Sequence, residues 1–283
     1  INEANFPDAN FRTVVSTFDK NGDGKLNEAE IAAVTEIYCS EKSISSLKGI
    51  EHFTALTELR CSNNRLTTLD VSRNTALEFL DCQTNHLTAL DVSRNTALTN
   101  LDCDSNQLTT LDVSNNTALI QLFCESNQLT TLDVSRNTAL VWLYCTANRL
   151  TTLDVSKNTA LITLNCWGNQ FTALDVSRNT ALTTLSCWGN QLTALDVSKN
   201  TALKEWSCEK NTYDITLNAS RSYDLSKLPG SFDVSKAKSW NGCTIQGSII
   251  KVNAGVNEVS YTYDCGNGKT MPVTLNVVGV EAP

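Results

Sequence analysis

The sequence predicts a β-rich solenoid with two parallel sheets, closed by an N-terminal α-helical cap and followed by a small β domain. Three observations carry that prediction. Seven consecutive 21-residue segments, Leu56 to Ala202, repeat L-x-x-L-x-C-x-x-N-x-L/F-T-x-L-D-V-S-x-N-T-A. A strict period this short means coils that bury their apolar residues only against their neighbours. Ahead of the repeats, apolar residues at helical spacing flank an acidic loop. Behind them, β-branched and aromatic runs alternate with turn signals. The boundaries are 1–33 for the cap, 34–211 for the solenoid and 212–283 for the β domain.

In the cap, Phe11, Val14, Val15 and Phe18, then Ile31 and Val34, have the spacing of two short helices over 9–18 and 28–37. Between them, Asp19 to Glu30 matches the 12-residue EF-hand calcium loop. Asp19, Asn21 and Asp23 stand at positions 1, 3 and 5, with Gly24 at the sharp turn. Lys25 offers its carbonyl, Asn27 stands at position 9, and Glu30 closes as the bidentate ligand. The sequence has no second such loop, so the expected Ca2+ is structural, bracing a cap on the first coil.

Each solenoid unit echoes itself, L-x-x-L-x-C-x-x-N-x followed by L-x-x-L-D-V-S-x-N-x-x. Each half alternates apolar residues along a short strand and ends on Asn, which predicts two parallel sheets per coil. A tight bend leaves main-chain groups unpaired inside the coil, and a buried Asn amide can satisfy both donors and acceptors. Asn64 through Asn211 should form one ladder and Asn74 through Asn200 another. Of eleven cysteines, Cys61, Cys82, Cys103, Cys124, Cys145, Cys166, Cys187 and Cys208 recur every 21 residues, with Cys39 ahead. Strands ~4.8 Å apart hold Cβ atoms wider than the ~3.8 Å of a disulfide. These cysteines are therefore expected as buried, reduced thiols. Only Cys243 and Cys265, outside the repeats, are a credible disulfide pair.

Residues 212–283 contain strand-like runs at 213–218, 244–252, 256–264 and 272–278, separated by Pro229-Gly230, Asn241-Gly242 and Gly266-Asn267-Gly268. They read as an immunoglobulin-like sandwich or a related β module. Trp206, in place of a core Leu, and Tyr213 offer apolar bulk to seal the last coil.

The repeats resemble bacterial leucine-rich repeats of the nested 21-residue kind over about 34–211. The order of helical cap, repeats and β domain is similar to internalin-type surface proteins. Val34 to Ala55 resembles their first repeat but places Lys42 where the ladder wants Asn. The resemblance implies a leucine-rich-repeat solenoid with an immunoglobulin-like C-terminal domain.

The second half of the repeat hardly varies. Its outward Asp column, Asp70 through Asp196, stands beside Arg and Lys and reads as a solvated, charge-balanced face. The first half varies outward. Early coils present Asp81, Asp102, Asp104 and Glu125 with Asn100 and Gln121. Later coils present Phe123, Trp142, Tyr144, Trp167 and Trp188, after an isolated Phe79. Aromatics clustered on a rigid sheet are typical of binding surfaces. Their rings suit protein and glycan ligands alike, and both remain open.

The charge of −8, without a basic cluster, argues against nucleic-acid binding. No apolar run approaches a transmembrane segment in length. Ile1 points to a removed leader. His52 and His86 have no evident Ser or Cys partner, so no catalytic residues are expected and the chain is read as non-enzymatic. These features predict a secreted or cell-surface, monomeric recognition or adhesion module for a host or bacterial surface protein, or a glycan. The alternative is a structural spacer or display scaffold with no ligand of its own.

Overall fold

Asp8 starts the first helix: its carboxylate accepts the N–H groups of Asn10 and Phe11, at 2.9 and 3.0 Å. A computed structural model describes residues 1–281. They divide into two compact units, with the division between Asn148 and Arg149.

In the first unit, α1 (Ala9–Ser16) buries Phe11, Val14 and Val15. Helix α2 (Glu28–Ala32) begins with a capping box in which Asn27 and Glu30 satisfy each other's main-chain N–H. Asp8 also accepts from Ser45 N–H at 2.7 Å, and Phe18 packs edge-on to Phe53 at 5.6 Å. These contacts fasten the helical segment to the first coil. Both helices are shorter than the spacing predicts. Residues 36–38 leave the helical pattern because they pair as a strand.

That strand, β1 (Glu36–Tyr38), leads a parallel column with β2 (Glu58–Arg60), β3 (Phe79–Asp81), β4 (Asn100–Asp102), β5 (Gln121–Phe123) and β6 (Trp142–Tyr144). The register sets Ile37 beside Leu59, then Leu80, Leu101, Leu122 and Leu143. Each strand has three residues and buries its middle one, and the Cys that follows is buried too. Cys39, Cys61, Cys82, Cys103, Cys124 and Cys145 are free thiols, and burial pushes the Cys39 thiol up to about 12.

Among the described residues, the second predicted sheet is absent. In the first unit the only pairing from that half of the repeat is the bridge between Asp70 and Asp91. The D-V-S stretch bends instead of extending. The Asp70 carboxylate accepts Ser72 N–H at 2.9 Å, and Asn74 N–H donates to the Val71 carbonyl at 3.0 Å. The same side-chain turn recurs at Asp91 and Asp112. An Asp that captures its own main chain removes the residue from a strand.

In the second unit, β7 (Thr163–Asn165), β8 (Thr184–Ser186) and β9 (Glu205–Ser207) repeat the parallel register. The chain then forms β10 (Asn211–Leu217), β11 (Ser222–Asp224), β12 (Ala237–Asn241), β13 (Cys243–Gln246), β14 (Ile249–Val252), β15 (Glu258–Gly266) and β16 (Lys269–Val280). These make a four-stranded sheet, β10-β16-β15-β12, and a three-stranded sheet, β11-β14-β13. The single run expected over 244–252 is a hairpin, since Gly247 (φ 58°) turns the chain between β13 and β14. Strands β11 and β12 lie in polar stretches that carry no clear alternation.

The last coil is closed as expected. Trp206 takes the inward Leu position beside Leu185 and donates its indole N–H to the Thr270 carbonyl at 3.4 Å. Met271 Sδ lies 3.3 Å from Cys208 Sγ, and Tyr261 Oη donates to the Thr193 carbonyl at 2.7 Å. Gly266 fits because any Cβ there would lie 3.2 Å from the Ser198 Cα.

The expected Cys243–Cys265 disulfide does not form; both are free thiols. Cys243 faces Val252 on the three-stranded sheet, whereas Cys265 is buried on β15, whose carbonyl accepts Val197 N–H at 2.8 Å. Placement on different sheets separates them. Cys265 belongs with the buried sulfur of the last coil, where Cys187 and Cys208 approach to 2.7 Å.

Candidate binding face and metal loop

The strand spacing fixes the geometry of the variable residues. Side chains before and after each buried Leu point out from the sheet, at the ~4.8 Å strand repeat. In the first unit this brings Phe123 and Tyr144 together, ring centroids 4.7 Å apart. Trp142 stands two residues before Tyr144 on β6. In the second unit Trp167 and Trp188 stack nearly parallel, at 4.5 Å and 7°. Lys210 Nζ lies 5.6 Å from the Trp188 ring. Gly168 (φ 65°) and Gly189 (φ 64°) hold the left-handed position after each Trp, and a Cβ on Gly189 would meet the Gly168 main chain at 3.6 Å.

All five aromatics are half-buried rather than open. In-register stacking covers one face of each ring in the Phe123–Tyr144 and Trp167–Trp188 pairs.

The acidic residues of the early coils form a tighter group than their spacing suggested. Asp81 is only 7% exposed and stands in register with Asp102. Asp102 accepts from Gln83 Nε2 at 3.0 Å and from Asp104 N–H at 3.1 Å. Asp104 accepts Glu125 N–H at 2.5 Å, and Glu125 accepts the Thr146 hydroxyl at 2.6 Å. Burial, with added repulsion from Asp81 and Glu125, pushes the Asp102 carboxyl up to about 6. Asp104 is pushed up to about 8 by burial and by Asp102 and Glu125. The sequence showed the acids but not their desolvation, which arises from packing between coils.

A groove of about 40 Å³ runs between Phe79 and Phe123, floored by Asn100, Leu101, Asp102 and Gln121. Asn100 Nδ2 donates to Gln121 Oε1 at 2.5 Å across its floor. Phe79 looked isolated in the sequence. It joins this site because Phe123, two coils on, closes the other side.

In the 19–30 loop, Asp19 accepts Gly22 N–H at 2.7 Å and Gly24 N–H at 2.8 Å. Asn21 accepts Asp23 N–H, and Asp23 accepts Lys25 N–H. Glu30 accepts the N–H groups of Lys20, Asn21 and Asn27 and is nearly buried. Gly22 and Gly24 both have positive φ, 73° and 79°. The oxygen side chains of the loop suit a hard, oxygen-seeking cation by type, while Asp19, Asp23 and Glu30 are not gathered into one cluster. Among the described residues, no three His, Cys, Asp or Glu side chains gather into a metal cluster. A full set at this loop would also need Asn21, Asn27 and the Lys25 carbonyl.

His52 packs edge-on to Phe6 at 5.9 Å. Among the described residues, no helix is long and apolar enough to cross a membrane.

Residues 54–95 match the family model described as leucine-rich repeats, two copies. Over 71 residues the chain is 45% identical to internalin J of Listeria monocytogenes serotype 4b (strain F2365). That match spans 25% of this chain and only 8% of internalin J. Among solved structures, an internalin C2 of Listeria monocytogenes aligns with TM-score 0.64 and 21% identity, over 71% of this chain and 93% of that one. A leucine-rich-repeat protein of Leptospira interrogans aligns with TM-score 0.59 and 22% identity, over 66% of this chain and 56% of that one. These structural likenesses establish the shared repeat fold.

Proposed function

Because the chain is an internalin-like leucine-rich-repeat protein of bacterial type, we propose that it is a non-enzymatic extracellular module that recognises a protein or glycan partner. One observation carries this reading. Within a coil that repeats almost residue for residue, the outward positions of the first half change from acids to aromatics while the second half stays constant. A scaffold alone gives no reason for that contrast. The ligand residues of this reading are Phe123, Trp142 and Tyr144 in the first unit and Trp167 and Trp188 in the second. The stacked pairs, Phe123–Tyr144 and Trp167–Trp188, are pre-organised, and less side-chain freedom is lost on binding.

Calcium belongs to the same reading. Asp19, Asn21, Asp23, Lys25, Asn27 and Glu30 would hold it, and the ion would brace residues 1–33 as an EF-hand-type cap. Residues 212–283 are read as an immunoglobulin-like domain, supported by seven strands in two sheets. The protein is placed at the cell surface or outside the cell, as a monomer.

The test is a glycan array and a host-protein pull-down, run with the native chain and with Trp142→Ala, Trp167→Ala and Trp188→Ala combined. Loss of a ligand in the variant supports the reading. Undiminished capture by the variant rejects this face, and no ligand for the native chain favours the spacer.

A further inference from the structure

Resting on that reading of the first-half strands, we propose that the groove between Phe79 and Phe123 is a socket for one cationic side chain, lysine or arginine, of a protein partner. The argument lies within the first unit and uses size, walls and charge.

The groove holds about 40 Å³. That exceeds the ~10–15 Å³ of comparable space that a single water needs and admits the tip of a charged side chain. Its walls are two aromatic rings, which attract cations through their faces. Phe79 already demonstrates the interaction: the Arg60 guanidinium lies 4.4 Å from its ring centroid. Arg60 itself is engaged, because its Nε bonds Glu58 at 2.6 Å.

The charge is mainly acidic, and the cation beside it, Arg60, stands in register with Asp81 and is bonded to Glu58. Asp102 stands on the floor, Asp81 is its register neighbour on the preceding coil, Asp104 follows on the same coil and Glu125 on the next. Among the described residues, the ion pairs are Arg60–Glu58 and Lys236–Asp196, and none involves these four acids. Their hydrogen bonds come from amides, main-chain N–H groups and a hydroxyl, none of which is a cation; Asp104, pushed up by burial, holds its proton near neutral pH, and the charge at the floor is that of Asp102. A neutral glycan would stack on the rings but would not offset desolvated carboxylates. An anion would be repelled. A basic protein surface meets both requirements, with its alkyl stem against the rings and its charge at Asp102.

The experiment uses fluorescence anisotropy of a labelled Gly-Lys-Gly-Lys-Gly peptide at low salt, with a norleucine peptide as the uncharged counterpart. The native chain should bind the lysine peptide and not the norleucine one. Asp102→Asn, which keeps the shape, and Phe79→Leu, which keeps the apolar wall, should each weaken binding by about tenfold. Asp112→Asn, an equal charge change on the exposed Asp column, should leave it intact. Absence of lysine-peptide binding, or equal loss in Asp112→Asn, overturns the proposal. A calcium site lost in Asp102→Asn by calorimetry would identify a metal site and also overturn it. A ligand from the array or pull-down that needs the Trp residues but survives Asp102→Asn would sink this socket while leaving the broader reading standing.

Discussion

Asn85 Nδ2 lies 3.0 Å from the carbonyl of Cys61, one coil earlier, and so joins consecutive coils through a side chain. The same atom donates to the Cys82 carbonyl at 3.0 Å, while Asn85 Oδ1 accepts Leu66 N–H at 3.0 Å. Both ends of the amide are used, as expected of a bend that buries main-chain groups. The second ladder works differently. Asn116 donates to the Val92 and Asn95 carbonyls, but its oxygen is buried without a partner.

The two ladders should therefore respond unequally to mutation. Asn106→Leu strips the Cys82, Cys103 and Asp104 carbonyls of a donor and leaves Leu87 N–H unpaired. At ~1–3 kcal/mol for each buried unpaired group, the loss should be about 3 kcal/mol or more. Asn116→Leu removes an unpaired oxygen along with two donated bonds and should cost about half as much. Thermal melts of both variants beside the native chain check the ranking; equal Tm values would refute it.

Calcium should raise the melting temperature of chelator-treated protein. Glu30→Gln removes the bidentate carboxylate; its one amide oxygen can still close the capping box with Asn27 but gives up the acceptor for Lys20 and Asn21, so the readout is the calcium-dependent shift within each protein. The expected result is a native chain stabilised by millimolar calcium and a Glu30→Gln chain indifferent to it. Calorimetry showing no calcium uptake by the native chain would end the assignment.

Thiol titration should separate the cysteines by burial. Cys243 is half-exposed and should react in native protein, while the other ten are buried and should wait for unfolding. Burial holds the Cys61, Cys82 and Cys265 thiols well above their ordinary range, so little reactive thiolate forms there. Eleven reactive thiols in denaturant without reductant is the expected count. Nine would restore a disulfide.

The repeat pattern made the coil, its inward leucines and its cysteine column legible, because each of those residues answers to local periodicity. It misled about the second half of the coil. Val71 and its equivalents are buried as a strand residue would be, but the preceding Asp binds the Ser two residues on and bends the chain. Hydrophobic alternation cannot distinguish those cases. Phe79 and Asp102 illustrate the other limit: their site is made by residues two coils apart in sequence and adjacent only after stacking.

That stacking should also be visible as a pH dependence of stability. Asp102 and Asp104 are pushed up, to about 6 and about 8, by burial foremost. A carboxyl raised in the folded state binds its proton more tightly there than in the unfolded chain. Folding is then favoured on the acidic side, and this contribution is lost as pH rises from about 4 through 8. Exposed Asp70, Asp91 and Asp112 are shifted down by Ser72, Ser93 and Ser114 and act in the opposite sense, mainly below pH 4. Asp104→Asn removes the largest rising group and keeps an acceptor for Glu125 N–H. Relative to that variant, the native chain should lose stability between pH 5 and 8, read from melts at each pH. Parallel curves for the two proteins would show that the pair does not retain its proton in the folded state.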